Sequence, residues 1–296
     1  MINFYLPKVN AYEPAYTVNQ MIISFLKSNP NFFYDNIKIS AVYGNFSPAI
    51  WNGGRVLLNG ENIEVREDSY HYMKKMLSYY NDNDIAFRFT FTNKLLKEEH
   101  LLDPFCNFLM ELANNGKNEV IVHSPLLENY LREKYPNFKY ISSTTKCILK
   151  ENEFIKDLDK YYLSVLDYRL NRSEILKNIP IEKRDKVELL INAYCATNCN
   201  VRHLHYDEMS ECQIEQKSPT SWNCGFTDNF YKRLPSSHVI KVDELYNYYH
   251  KELGYNHFKI EGRGNHVISV LESYLYYLVK PKYKEYMRYL ILKEIW

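Results

Sequence analysis

Four of the six cysteines, Cys195, Cys199, Cys212 and Cys224, fall within one stretch of 30 residues, the first two separated by three residues. Thiolates are the ligands of zinc and of iron–sulfur clusters. Structural zinc sites favour closely spaced Cys-x-x-Cys pairs, and this stretch contains none. The wider spacing suits a cluster held on four cysteines, with zinc as the alternative and unrelated buried thiols as a third reading. Cys106 lies in a helix-like run and reads as a small packed residue, and Cys147 is a minor candidate ligand. The radical-type triad Cys-x-x-x-Cys-x-x-Cys is absent, because its third position is occupied by Arg202. The sequence also lacks His-Glu-x-x-His, Gly-x-Ser-x-Gly and the phosphate-binding loop, so zincin, serine-hydrolase and nucleotide-triphosphate chemistries have no support.

Other chemistry-bearing residues stand close to polar strand ends. Glu261 and Arg263 follow the last β-rich run; the carboxyl is a candidate acid/base and the guanidinium a candidate clamp for a carboxylate or phosphate. A structural ion pair between them is the plainer alternative. His205, in the cysteine segment, is a second candidate acid/base group or donor to a cluster sulfur. Arg55 ends the run Asn52-Gly53-Gly54-Arg55, which is either an anion-binding loop or an ordinary turn. Arg88 and Asn93 lie on and after the third strand; an inward-facing Arg88 calls for a ligand or a carboxylate partner. Together with Asn192 and Arg202 these form the candidate substrate-binding set.

The elements that must position these residues alternate regularly. β-rich runs at Asn3–Leu6, Ile37–Val42, Ile85–Phe91, Glu119–His123, Lys139–Ser143, Tyr161–Leu166, Val187–Ile191 and His257–Ile260 are each followed by a helix-like or irregular segment. Residues 15–27, 67–80 and 98–114 carry apolar residues at helical spacing, with Asp68, Ser69 and Asn115-Gly116 as end signals. Eight such units predict an α/β (β/α)8 TIM-type barrel, a single domain over residues 1–296, rather than an open doubly wound sheet. No Gly-x-Gly-x-x-Gly follows the first strand. Sixty-five residues separate the seventh and eighth runs, and the part over 195–237 shows little helical periodicity, so it is expected to be a long cysteine-bearing loop. The stretch after Pro281 reads as an apolar-rich helix covering the chain's own barrel.

Composition narrows the function classes. With 37 Lys+Arg against 36 Asp+Glu the net charge is +1, so no global field gathers nucleic acid. No apolar run is long enough to span a membrane. The first residues read as a strand rather than a signal peptide, which predicts a cytoplasmic protein whose cysteines are thiols or metal ligands.

The segment Glu188-Leu189-Leu190-Ile191-Asn192-x-x-Cys195-x-x-x-Cys199-x-x-Arg202-x-x-His205 resembles the cysteine motif of the collagenase-like peptidase family U32, and Phe258-Lys259-Ile260-Glu261-Gly262-Arg263 resembles its late Lys-Ile-Glu-Gly-Arg motif. The resemblance is specific over about two dozen residues and extends elsewhere only in layout. It implies a barrel carrying a 4Fe–4S cluster, with Cys195 and Cys199 matched directly and Cys212 and Cys224 completing the set. It also implies oxygen-independent hydroxylation, or a related redox modification, of a small molecule or an RNA base. A prephenate-like acid is then the anionic co-substrate, and some relatives work as paired subunits. Two further readings stand beside this one: a metal-dependent peptidase or hydrolase, and a non-catalytic metal-stabilised barrel within a heteromeric complex.

Overall fold

The computed structural model describes residues 1–7, 14–56, 67–220, 229–262 and 266–295. Eight strands, β1 (Ile2–Pro7), β2 (Ile37–Gly44), β3 (Ala86–Phe91), β4 (Glu119–Val122), β5 (Lys139–Ser142), β6 (Leu163–Val165), β7 (Val187–Leu190) and β8 (His257–Lys259), hydrogen-bond in sequence order into a closed barrel. The pairings are parallel. Arg88 stands opposite Glu119, Val122 opposite Ser142, Ser142 opposite Ser164, and His257 opposite both Asn3 and Glu188. Parallel strands covered on both faces read as continuous apolar runs, and Val120, Ile121 and Val122 of β4 are all buried.

The helices are α1 (Pro14–Ser28), α2 (Glu67–Asp82), α3 (Pro104–Ala113), α4 (Pro125–Lys134), α5 (Glu151–Lys160), α6 (Ile175–Asn178), α7 (Arg202–Glu215), α8 (Phe230–Arg233), α9 (Val242–Glu244), α10 (Val267–Leu278) and α11 (Lys284–Ile295). The apolar spacing of α1 and α2 marks their inner faces: Val18, Ile22, Met73, Met76 and Tyr80 are buried. The single helix expected over 98–114 is instead a 3-10 turn, Glu98–Leu102, followed by α3. Pro104, with its fixed φ and no N–H, begins the new helix, and the Asp103 carboxylate caps it by accepting from Cys106 N at 2.7 Å. The side chains of Asp68 and Ser69 lie outside the described residues. After Pro281, α11 buries Met287 and Ile291 and packs against α1 and α10, covering its own chain.

The larger departure from the sequence pattern is in 195–237, which contains α7 and the short α8. The residues that α7 buries are Arg202, Met209, Ser210, Cys212 and Gln213. Most are polar, so a rule that looks for apolar residues at helical spacing has almost nothing to detect.

Contacts group the chain into two compact units: Met1–Ser40, Tyr168–Asn198 and Asn223–Trp296 form one, and Ala41–Asp167 with Cys199–Trp222 the other. Among the described residues no helix is long and apolar enough to cross a membrane.

Candidate functional site

In the first unit, the loops after β7 and β8 are tied to each other by side chains that bind main chain. Asn192 is fully buried; its amide nitrogen donates to Glu261 O at 3.0 Å, and its carbonyl oxygen accepts from Glu261 N at 2.6 Å. The Glu261 carboxylate then accepts from Tyr194 N at 2.8 Å. Arg233 donates to Tyr194 O. His238 bonds Ala193 O through Nε2 and the Thr197 hydroxyl through Nδ1, both at 2.9 Å. Burial pushes the proton affinity of His238 down, which keeps the ring neutral and able to serve both partners. Tyr168 OH donates to Ala196 O at 2.6 Å. Cys195, partly buried, therefore sits in a five-residue stretch, 193–197, that side chains pin on both sides, and it packs against Tyr168, Leu190 and Ala193. A side chain at Gly262 would come within 3.1 Å of Pro7 and of Val270, which is why this position of the late motif is glycine.

In the second unit, the centre is the buried Arg202, whose Nη1 lies 2.5 Å from Asp167 Oδ2 with both side chains 2% exposed or less. The same nitrogen donates to Thr144 O at 3.0 Å and stands 4.0 Å from Cys147 Sγ, and the guanidinium covers the Tyr206 ring. These contacts dock the first turn of α7 on the ends of β5 and β6. Further along, Asn93 donates to both Ile50 O (2.9 Å) and Ser210 O (3.0 Å), and Lys94 pairs with Asp207 at 2.6 Å. His205 is half-buried on α7; burial lowers its proton affinity, opposed by Glu208 and reinforced by Arg202 and Arg55.

Arg88 has the carboxylate that its inward position called for, Glu119 at 2.7 Å. Asn52 donates to Arg55 O and accepts from the Thr90 hydroxyl at 3.1 Å, which holds the backbone of the Gly-Gly-Arg segment. A Cβ on Gly53 would stand 2.5 Å from Asn93 N and 2.6 Å from Thr92 O, so the glycine serves a close approach of two backbones. Arg263 and Cys224 lie outside the described residues.

The five described cysteines, Cys106, Cys147, Cys195, Cys199 and Cys212, are thiols rather than disulfides. Cys195 and Cys199, both partly exposed on the loop after β7, suit metal ligation in type and access. Cys212 does not fit beside Cys199 as placed. It lies in the last turn of α7, ten residues beyond Arg202 and ~15 Å along the axis, while Cys199 precedes the first turn. It is buried, and burial pushes its thiol up, with Glu208, Glu211 and Glu215 adding to the effect against Lys217. Among the described residues no three His, Cys, Asp or Glu side chains gather as a metal-binding group.

Sequence reasoning missed Asp167, because a charge pair spanning 35 residues leaves no local pattern. It also gave no role to His123, although a polar residue directly after a barrel strand is the available signal.

The fold is a closed (β/α)8 barrel. The solved structure of the U32 peptidase Mk0906 is similar over 88% of this chain and 92% of that one, with a TM-score of 0.51 and 14% identity, a likeness of fold. No family model and no curated protein matches the sequence.

Proposed function

We propose that the protein is a U32-like barrel enzyme that carries out a redox modification, of the oxygen-independent hydroxylation type, at the loops following its strands. The observation that carries this reading is the interlock of Asn192 and Glu261. It joins the two segments that resemble the family's motifs and, through Tyr194, fixes the backbone just before Cys195. In this reading Cys195 and Cys199 are thiolate ligands of an iron–sulfur cluster, zinc being the alternative metal, and the cluster would accept or relay the electrons that hydroxylation takes from the substrate. Cys212 is the member of the ligand set whose placement fits least. The chain's own residues shape the loop: Glu261 acts by holding Tyr194 N, and Arg202 by anchoring α7. A small carboxylic acid is the proposed co-substrate.

Metal and acid-labile sulfide content of protein purified without oxygen, together with its visible spectrum, tests the reading. About four irons and four sulfides, lost in Cys195→Ala, are expected. One zinc without sulfide converts the cysteine loop into a structural metal site. Protein without metal overturns the redox reading. The name of the structural neighbour raises hydrolysis as the competing reaction, which peptide cleavage lost on Glu261→Gln would reveal.

A further inference from the structure

His123 directly follows β4, and the reading above gives it no part. Its Nδ1 lies 2.8 Å from Thr145 Oγ1, which lies 2.8 Å from Ser143 Oγ, and Thr145 N donates to that serine oxygen at 3.1 Å. Ser143 and Thr145 are buried, and Ser143 N donates to Val122 O at 3.1 Å, so the hydroxyl chain is fixed to the end of β4. In one ordering of this chain Ser143 donates to Thr145 Oγ1 and Thr145 donates to Nδ1. That order leaves the ring hydrogen on Nε2. Nε2 makes no hydrogen bond among the described residues, and the residue is only partly buried, so this donor faces outward and unused.

The charged groups that face the ring are Lys94 after β3, Lys146 after β5 and Asp207 on α7. Burial first, then the two lysines, push its proton affinity down to about 4, opposed by Asp207. The ring is neutral at physiological pH and stands in a net positive field. Neither ammonium is spare: Lys94 is held by Asp207 at 2.6 Å, and Lys146 by the Tyr161 hydroxyl at 2.8 Å and Asp157 at 3.4 Å. The field is fixed by the fold, and the open donor in it is His123 Nε2.

We propose that His123 Nε2 is a binding group for the carboxylate of a small acid, with Thr145 and Ser143 as positioning residues that set the ring's tautomer. A positive field with a fixed N–H donor favours an anion. The bound anion in turn favours the protonated ring, so binding takes up a proton and tightens as pH falls. The assignment is independent of the metal reading, and metal-free protein leaves it intact.

Lactate is the probe, titrated over about pH 5 to 8 with the ring nitrogens of labelled histidine followed by NMR and the affinity by calorimetry. In the wild type, lactate shifts the His123 signals, raises the proton affinity of the ring, and binds more tightly by up to about tenfold for each unit of pH lost. His123→Gln, which keeps a donor but cannot protonate, binds weakly with no pH slope. Thr145→Val, which removes the hold on Nδ1, mixes the two tautomers in the nitrogen shifts and weakens binding severalfold. Unmoved His123 signals in wild-type protein, or equal affinity and slope in His123→Gln, overturn the proposal. Should the glutamine variant fail to fold, the wild-type signals and Thr145→Val decide.

Discussion

The loops after β7 and β8 and the loops after β3 to β6 are both rich in buried polar side chains, yet they use them in opposite ways. After β7 and β8, Asn192, Glu261, Arg233 and His238 all bind main-chain atoms. After β3 to β6, Asp167, Lys94 and His123 meet other side chains: Arg202 and Asp207 of α7, and Thr145. The first arrangement dictates the shape of a loop, and its charge is incidental. The second dictates where charge sits, and its strength depends on both partners being present and ionised. A buried pair broken on one side leaves an uncompensated charge, whereas a lost main-chain hydrogen bond leaves only a neutral dipole.

The largest effect that separates the two regions is therefore expected at the charge pair. Asp167→Ala strands the Arg202 guanidinium, and urea unfolding should show a loss of ~3–5 kcal/mol. Asn192→Ala removes both bonds to Glu261 and should cost ~2 kcal/mol, while thiol labelling of Cys195 accelerates as its loop loosens. A stability cost as large as that of Asp167→Ala would erase the distinction between the regions.

Acid sharpens the contrast further. The His123 ring is held down to about 4 when folded, against 6.5 for an ordinary ring, so the folded state binds fewer protons than the unfolded chain between those values. Stability is full above about pH 6.5 and falls as pH drops toward 4. That part of the acid dependence should vanish in His123→Gln, as read from unfolding curves at several pH values. The smallest effect belongs outside both regions. Lys150 and Glu153 form an exposed pair at the start of α5, and Lys150→Ala should change stability by less than ~0.5 kcal/mol.

The barrel is legible in the sequence because most strand positions are buried and read as short apolar or alternating runs, and because helices such as α1 and α2 keep apolar residues at three and four. The boundaries agree to within one or two residues: Glu119–His123 expected against Glu119–Val122 observed, Ile37–Val42 against Ile37–Gly44. The Pro104 break is also written locally and is recoverable from the Asp-Pro step. Of the candidate site, Asn192 and Glu261 stand out as polar residues just beyond strand ends, but their bond to each other spans 69 positions. The roles of Arg88 and Arg202 are hidden for the same reason. The sequence marks Arg88 as inward-facing and Arg202 as a candidate binding group, and says nothing of Glu119 or Asp167, since any distant carboxylate would serve. Helix α7 is hidden by its chemistry, because its inner face is made of groups that elsewhere mark a surface.

That inner face has a consequence for how the molecule opens. A helix seated mainly through Arg202, Ser210 and Gln213, with only Met209 and Cys212 as softer buried groups, uncovers little hydrocarbon when it leaves. Its release then adds little to the heat capacity of unfolding or to the slope against denaturant, the two quantities by which partial opening is usually noticed. Amide exchange along 202–215, faster than exchange in β4 and quickened by salt that weakens its ionic anchors, is where such a departure would be seen.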